Sequence, residues 1–385
     1  MNVLFVNYEY PPVGGGGGVF TKDLAEELAG NNTVHVLTSA FPGLARSETI
    51  NGVTVFRTPV LNRTSLPSAG ILSLLSFPFS GIFKGYSLLK STDYDVINTH
   101  FAVPSGPCGA FLSKISGIPN VLSIHGGDIY DPSKKTSPHR HPLLRWAVKR
   151  VMESSDSVIA QSNNTRDNAM SIYSPSKDIK IIPLGIPLSS IPEIDRGSIG
   201  LDPDKKYLIS IGRLVKRKGY DILIRAFSSV TSREPSTRLI LLGSGPELDN
   251  LKTLAADLGI GEKISFITDS DDRAKYEYLA SSDMYVLSSL HEGFGIVLLE
   301  AMACGLSIVS TDNGGQTDIL EHEKNALMVP PGDAEALAEA IEELLSSPET
   351  MRKMKTNNLE HAKDFSISKV AARYMELFRE TINSV

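Results

Sequence analysis

The feature that most constrains this chain is an alternation of short β-rich runs with helical patterns, which is carried through one half, interrupted, and begun again. VLFVN leads into VFTKDLAEELAG, and TVHVLTS, VTVFRT, DVINTH, a helix near 105–116, NVLSIHG, a helix near 142–153 and SVIAQS follow. Strands joined through helices lie parallel, with the helices covering the sheet faces. The stretch PLGIPLSSIPEIDRGSIG (183–200), rich in Pro, Gly and Ser, breaks the pattern and reads as a linker. Alternation resumes with YLISIG, a helix from about 219 to 230, RLILLGSG, a helix near 246–258, ISFIT, a helix near 272–281, MYVLSS, LSIVST and a long helix near 333–346. The expectation is two doubly wound α/β domains in tandem, 1–187 and 188–365, followed by a terminal segment, 366–385. A length of 385 residues suits two domains of ordinary size.

Composition removes several classes. With 41% hydrophobic and 21% charged residues the chain can bury a substantial core. Cys108 and Cys304 lack metal-ligand spacing and point to a reducing compartment, hence a cytoplasmic location. MNVLFVNYEY has no basic segment before its apolar run, and reads as a first strand rather than a signal peptide. The apolar tract Ala69–Phe83 reads as too short for a membrane span and as broken by Pro78.

Charge is uneven: sixteen basic against thirteen acidic side chains through residue 187, and 22 against 31 beyond it. Lys134, Lys135, Arg140, Arg145, Lys149 and Arg150 stand against Asp131 alone between Tyr130 and Met152. That stretch is either a solvated surface or a site for anionic lipid headgroups or a phosphorylated acceptor. An acidic chain without an aromatic-basic repeat argues against nucleic acid.

Ligands of open α/β sheets bind beyond the carboxyl ends of the strands, and the candidate motifs fall there. Gly14–Gly18 follow the first strand and precede a helix, so amides of Gly15, Gly16 and Gly17 can approach a bound group; a plain turn is the alternative. No register of this run gives the dinucleotide spacing, and no GxxxxGK[ST] loop occurs, which disfavours a nicotinamide or flavin enzyme. In IHGGD, His125 ends a strand and can polarise or hydrogen-bond a sugar, while Asp128 can orient an acceptor hydroxyl. A histidine that satisfies only the loop backbone is the plainer reading. IGRLVKRKG leaves the first strand of the second half with Arg213, Lys216, Arg217 and Lys218, a set able to neutralise a diphosphate or simply to be surface charge. In HEGFGIVLLEAMACG, Glu292 precedes a helix start whose Phe294 and Gly295 amides suit phosphate or sugar oxygens, and Glu300 lies inside that helix. An acid in IVLLEAMA, if unpaired, would be a buried charge costing several kcal/mol, on the order expected for such groups.

E-G-F-G-I-V-L-L-E-A-M-A-C-G resembles the E-x7-E signature of the retaining glycosyltransferases of family 4, whose GT-B fold sets two Rossmann-like doubly wound domains facing a cleft. The similarity extends to the glycine loop, His125, G-R-L-V-K-R-K-G, L-L-G-S-G-P and N-G-G (Asn313–Gly315). It implies that Glu300 binds the nucleotide ribose, Glu292 the donor sugar hydroxyls, and Arg213 and Lys218 the diphosphate. The Phe294 and Gly295 amides would meet sugar or phosphate, His125 would face the transferred sugar, and Gly15–Gly17 would lie over the phosphates or acceptor. The family needs no metal, so none is expected. Thr268, Asp269 and Ser270 stand where the family often has a glycine, and Asp318 where a glutamate is usual, which leaves the base open.

The resulting expectation is a hexosyltransferase acting from a nucleoside-diphosphate sugar on a glycan or lipid-linked acceptor, with retention by a front-face route. Peripheral contact with an anionic inner membrane face accompanies it. A nucleotide-sugar epimerase or hydrolase, and a noncatalytic nucleotide-sugar-binding partner, are the competing readings; the joint presence of His125, Arg213, Lys218, Glu292 and Glu300 disfavours the last. With His125 and the glycine loop in the first half and Arg213, Lys218, Glu292 and Glu300 in the second, the reacting atoms are expected to meet only when the domains close over the donor; the resemblance adds that the last helix, FSISKVAARYMELFRETI (365–382), crosses back to the first domain, with packing on the second domain as the alternative.

Overall fold

The structure, a computed structural model, describes residues 1–66, 69–190 and 196–384. Part of the expected linker, 191–195, lies outside the described residues, as do residues 67 and 68 beside the apolar tract. The chain divides into two units, Met1–Ile186 with Ile367–Val385, and Pro187–Ser366.

In the first unit, β1 (Asn2–Asn7), β2 (Thr33–Ser39), β3 (Ser47–Ile50), β4 (Val53–Thr58), β5 (Val96–His100), β6 (Asn120–Ile124), β7 (Ser157–Ala160) and β8 (Ile179–Ile181) form one sheet in the order β3-β4-β2-β1-β5-β6-β7-β8. Every pairing is parallel except β3 with β4. The helices are α1 (Gly16–Ala29), α2 (Ile71–Ser91), α3 (Gly106–Ser116), α4 (Pro142–Ser154) and α5 (Asn163–Tyr173). β1, β5 and β6 are buried almost throughout, as parallel strands covered on both faces must be.

The apolar tract is longer than expected. α2 is one helix of 21 residues that continues through Pro78. Packing holds it despite the lost N–H: Gly81 and Gly85 lie so close to Cys108 and Leu112 of α3 that neither has room for a Cβ. By length and composition α2 is able to cross a membrane, and 28% of its most apolar window is buried.

In the second unit, β9 (Lys206–Ile211), β10 (Thr237–Leu242), β11 (Ile264–Ile267), β12 (Met284–Leu287), β13 (Ser307–Thr311) and β14 (Leu327–Val329) form an all-parallel sheet in the order β11-β10-β9-β12-β13-β14. Its helices are α6 (Tyr220–Arg233), α7 (Leu248–Asp257), α8 (Asp272–Ala280), α9 (Ile296–Ala303), α10 (Ala334–Ser346) and α11 (Pro348–Ala362). Leu223, Phe227, Leu239, Val286, Val309 and Ile341 belong to one continuous core around this sheet.

The last helix, α12 (Ile367–Asn383), belongs to the first unit. Its Val370, Ala371, Tyr374, Leu377 and Phe378 are buried, the Tyr374 ring lies 6.2 Å from that of Phe20 in α1, and its hydroxyl is 3.3 Å from that of Ser123. The Ile367 amide donates to the Ile186 carbonyl at 2.8 Å, which ties the two ends of this unit together where the chain leaves and re-enters it.

Candidate functional site

In each sheet the chain order reverses at one pair of neighbours, β1 with β5 and β9 with β12, and a doubly wound sheet opens its ligand crevice at the carboxyl ends of such a pair. Gly15–Gly17, His125, Asp128, Arg213, Lys218, Glu292, Phe294, Gly295 and Glu300 all lie after these strands, after neighbouring β6, or in the helix that follows β12.

After β1, Glu9 is the organising side chain of the glycine loop. Its Oε2 accepts the Gly15 amide at 3.0 Å beside the start of α1, where helix amides favour negative charge. A Cβ on Gly14, whose φ is 107°, or on Gly18 would strike Glu9, and one on Gly17 would strike the ring of Phe101. Gly15 has open space around it and Gly16 begins the helix. Three of the five glycines therefore serve close packing, and Gly15 alone is shown with room to spare.

Phe101, just after β5, has φ 71°, a left-handed conformation strained for an aromatic residue and concentrated at functional sites. Its ring centroid is 4.5 Å from that of His125, which also stacks on His100 at 5.1 Å. His125 is 9% exposed, its Nε2 is 2.9 Å from His100 Nδ1, and its Nδ1 is buried with no hydrogen-bond partner among the described residues. Burial lowers the His125 pKa to about 4, with the Gln161 side chain opposing, and that of His100 well below the usual histidine value. Both rings are neutral at physiological pH, and His125 is packed inside the unit rather than open at its edge.

Asp128 has a structural task of its own. Its oxygens accept the amides of Ala102 at 2.6 Å and His125 at 2.9 Å, so the carboxylate clamps the loops after β5 and β6 together. Burial raises its pKa to about 6 against the pull of those amides.

In the second unit, Lys218 Nζ is 2.6 Å from Glu292 Oε2, and Arg217 Nη1 is 3.5 Å from Glu292 Oε1 while donating to the His291 carbonyl at 2.8 Å. Gly219, φ 62°, has no room for a Cβ beside the Ser288 carbonyl, and this close approach lets the Lys216–Lys218 turn reach the loop after β12. Burial opposes ionisation of Glu292, but Lys218, Arg217 and the hydrogen bonds from Lys218 and Ser289 outweigh it and hold the carboxyl at about 2. Arg213 is exposed, and its side chain has no partner among the described residues. Lys218 and Glu292 are thus brought together, the Arg213 side chain is left without a partner among the described residues, and Arg217 takes a place beside Glu292 that the sequence gave only as one cation of a set.

Gly295, φ 90°, caps α9, and neither its amide nor that of Phe294 has an acceptor among the described residues. The Phe294 side chain is buried, so this residue offers its main chain only. The Gly315 amide donates to the Glu292 carbonyl at 2.7 Å, fixing the Asn313–Gly315 loop against the same turn.

Glu300, 4% exposed, is not unpaired. Lys275 of α8 places its Nζ 2.7 Å from Glu300 Oε1 and 3.3 Å from Asp272 Oδ1. Burial lowers the Lys275 pKa, but Glu300 and Asp272 more than reverse this, so the ammonium is held charged. Nothing in the local pattern around Lys275 announces this pairing, because α8 and α9 meet only in the fold. His100, by contrast, ends a strand as His125 does and was open to the same reasoning.

Among the described residues no group of three or more His, Cys, Asp or Glu side chains is placed to hold a metal ion. What the second unit offers is one exposed guanidinium, a carboxylate flanked by two cations, two unfilled amides at a helix start and a second carboxylate inside that helix. Such a set suits an elongated ligand carrying both negative charge and hydroxyls.

Residues 14–190 match the family described as Glycosyltransferase Family 4, and residues 192–361 the one described as Glycosyl transferases group 1. The chain is 32% identical to an uncharacterized glycosyltransferase of Methanocaldococcus jannaschii over 362 residues, covering 90% of this chain and 89% of that protein. Among solved structures, a sucrose-phosphate synthase from Thermosynechococcus elongatus superposes with a TM-score of 0.88 at 23% identity, covering 100% of both chains. HepE of Anabaena, solved in complex with UDP and glucose, superposes with a TM-score of 0.81 at 22% identity, covering 99% of this chain and 100% of that one. At these identities the two structures speak for the fold.

Proposed function

The chain belongs to glycosyltransferase family 4 and has the GT-B fold of two Rossmann-like domains, and on that premise we propose that it is a retaining hexosyltransferase using a nucleoside-diphosphate sugar. The observation that carries the donor assignment is the arrangement after β9 and β12: Lys218 and Arg217 on Glu292, beside the unfilled amides of Phe294 and Gly295.

In this reading Arg213 and Lys218 neutralise the diphosphate, so its departure from the anomeric carbon needs no metal ion. The Phe294 and Gly295 amides take phosphate or sugar oxygens, and Glu300 binds the ribose hydroxyls. Glu292 is ionised throughout the physiological range and accepts hydrogen bonds from the hexose hydroxyls. His125 attends the transferred sugar, and Gly15–Gly17, with open space at Gly15, the phosphates or acceptor. The acceptor is a glycan or lipid-linked hydroxyl compound, and the protein works in the cytoplasm, in peripheral contact with an anionic membrane. HepE, crystallised with UDP and glucose, supports a uridine donor as the first to try.

The test is a donor screen by product mass with several nucleotide sugars and a lipid extract. Transfer by the wild type, and its loss in Arg213→Ala and Lys218→Ala, is the expected result. Sugar release or epimerisation without any acceptor would assign the epimerase or hydrolase activity instead.

A further inference from the structure

We propose that Asn98 and His100 are positioning residues that hold His125 in the tautomer with its proton on Nε2, so that His125 meets a ligand as a hydrogen-bond acceptor at Nδ1 and not as a proton donor. This rests on the reading that His125 attends the transferred sugar.

The relay starts at an atom whose role is not in doubt. Asn98 Nδ2 is 2.9 Å from the Val121 carbonyl, which only accepts, so the nitrogen end of the amide is fixed there. Asn98 Oδ1 therefore faces His100 Nε2 at 2.8 Å, and because Oδ1 also only accepts, Nε2 carries the proton. His100 is fully buried, and the same burial keeps it neutral, which leaves its Nδ1 bare. That bare nitrogen lies 2.9 Å from His125 Nε2, and two bare nitrogens repel, so His125 Nε2 must donate. Neutral His125 is then left with a lone pair on Nδ1.

The neighbours do not upset this order. Thr21 Oγ1 accepts from Asn7 Nδ2 at 2.7 Å and has one hydrogen to give, to the Gly17 carbonyl at 2.9 Å or to His100 Nδ1 at 3.2 Å; either choice leaves His100 Nδ1 an acceptor. Gln161 gives its amide nitrogen to the His125 carbonyl at 2.7 Å, and its side chain favours a protonated His125 ring more weakly than burial opposes it. Among the described residues Nδ1 of His125 is the one polar ring or amide atom of the relay with no hydrogen-bond partner.

An acceptor there selects chemistry. A hydroxyl brings a hydrogen and fits, whereas the fully ionised oxygens of a donor diphosphate bring none and would face the lone pair unfavourably. Nδ1 is covered in this structure, so the ligand hydroxyl reaches it by displacing what covers it; strained Phe101 is the ring closest to His125.

The experiment uses the full chain with nitrogen-15 histidine, which gives eight residues to assign. Two-bond proton–nitrogen correlation at neutral pH is expected to show His125 protonated at Nε2 only. A wild-type spectrum with the proton on Nδ1 overturns the proposal, whether or not any variant folds. His100→Leu removes the acceptor, and kcat for transfer should fall about tenfold, as for loss of a hydrogen-bonding role, with nucleotide affinity held within about twofold. His100→Asn, whose amide oxygen lies near the lost Nδ1, should recover most of that kcat together with the Nε2–H tautomer. A folded His100→Leu with wild-type kcat overturns the positioning role. A protein that shows the expected tautomer but transfers no hexose from any donor overturns the reading of His125 as a sugar residue and leaves the hydrogen-bond order itself established.

Discussion

Glu300 and Lys275 are each costly to bury and tolerable together, because a buried ion pair that loses one partner leaves the other uncompensated. Lys275→Met is therefore expected to destabilise the protein by about 3 kcal/mol in chemical denaturation. Glu300→Gln should weaken nucleotide binding by roughly 1–3 kcal/mol as well, as loss of a charged hydrogen-bond acceptor does. Calorimetry on a folded Glu300→Gln protein with unchanged nucleotide affinity would remove Glu300 from the ribose site. The paired histidines set a pH dependence at the same scale. Below about 6.5 the unfolded chain takes up a proton at the His125 position that the folded protein refuses until about 4, so stability falls as the pH drops through that window. His100 and His35, both lowered by burial, act in the same sense. Glu292, held at about 2 against an ordinary 4.5, adds its loss only below 4.5. Thermal melts from pH 7 to pH 4 should show a shallower decline for His125→Gln than for the wild type; identical slopes would contradict the burial of a neutral ring. Glu292 and Glu300 were visible in the sequence because acids beside a glycine turn and inside an apolar helix are conspicuous. Their partners were not, since Lys275 is remote in sequence and Arg217 was one cation among four.

At the scale of elements, α2 is where pattern and structure part company. Pro78 suggests a break in sequence, yet the helix runs on because its close-packed glycine face against α3 outweighs one missing hydrogen bond. The opposite consequence is an apolar surface with Ile71, Leu72, Leu75, Phe79 and Phe83 exposed, Phe83 at 80%. Exposed apolar side chains of this number on one helix suit the proposed membrane contact, to which the cations of 134–150 would add attraction for anionic headgroups. Sedimentation with vesicles should show binding to anionic over neutral lipid, and Phe79→Ser with Phe83→Ser should reduce it severalfold, about 1–2 kcal/mol for the apolar area removed. Equal partitioning to both lipids would exclude the headgroup contribution. Elsewhere the elements that escaped notice were short or polar. β8 and β14 have three residues each, α5 is Asn-rich, α11 is mostly polar with Asn358 in its buried face, and the starts of both helices are set by the side-chain caps Ser162 and Ser347. The strands that hold the site, β1, β5, β6, β9 and β12, are parallel strands buried almost throughout, and their β-branched and apolar residues made them legible.

At the scale of the whole molecule, the chain completes its first unit last. Residues 187–366 form the second unit with its own core, and only then does α12 supply seven buried residues to the first. Val370, Tyr374, Leu377 and Phe378 contribute roughly 1.5–3 kcal/mol each by burial, which together approaches the net stability of an ordinary domain, about 5–15 kcal/mol. Tyr374 also reaches the histidine relay, since its hydroxyl lies 3.3 Å from that of Ser123, which is 3.2 Å from Asn98 Nδ2. Deleting residues 366–385 is therefore expected to unfold the first unit, or leave it loosely packed, while the second keeps its fold. Scanning calorimetry should show the wild-type transition of the first unit lost or lowered by tens of degrees, and that of the second nearly unchanged. If Arg213, Lys218, Glu292 and Glu300 hold the nucleotide, as proposed, titration with the nucleoside diphosphate should give an affinity close to wild type on a protein that no longer transfers. Loss of both nucleotide binding and the second transition would mean that the units are one cooperative body, and full transfer by the truncated chain would show that α12 is dispensable to the histidine site.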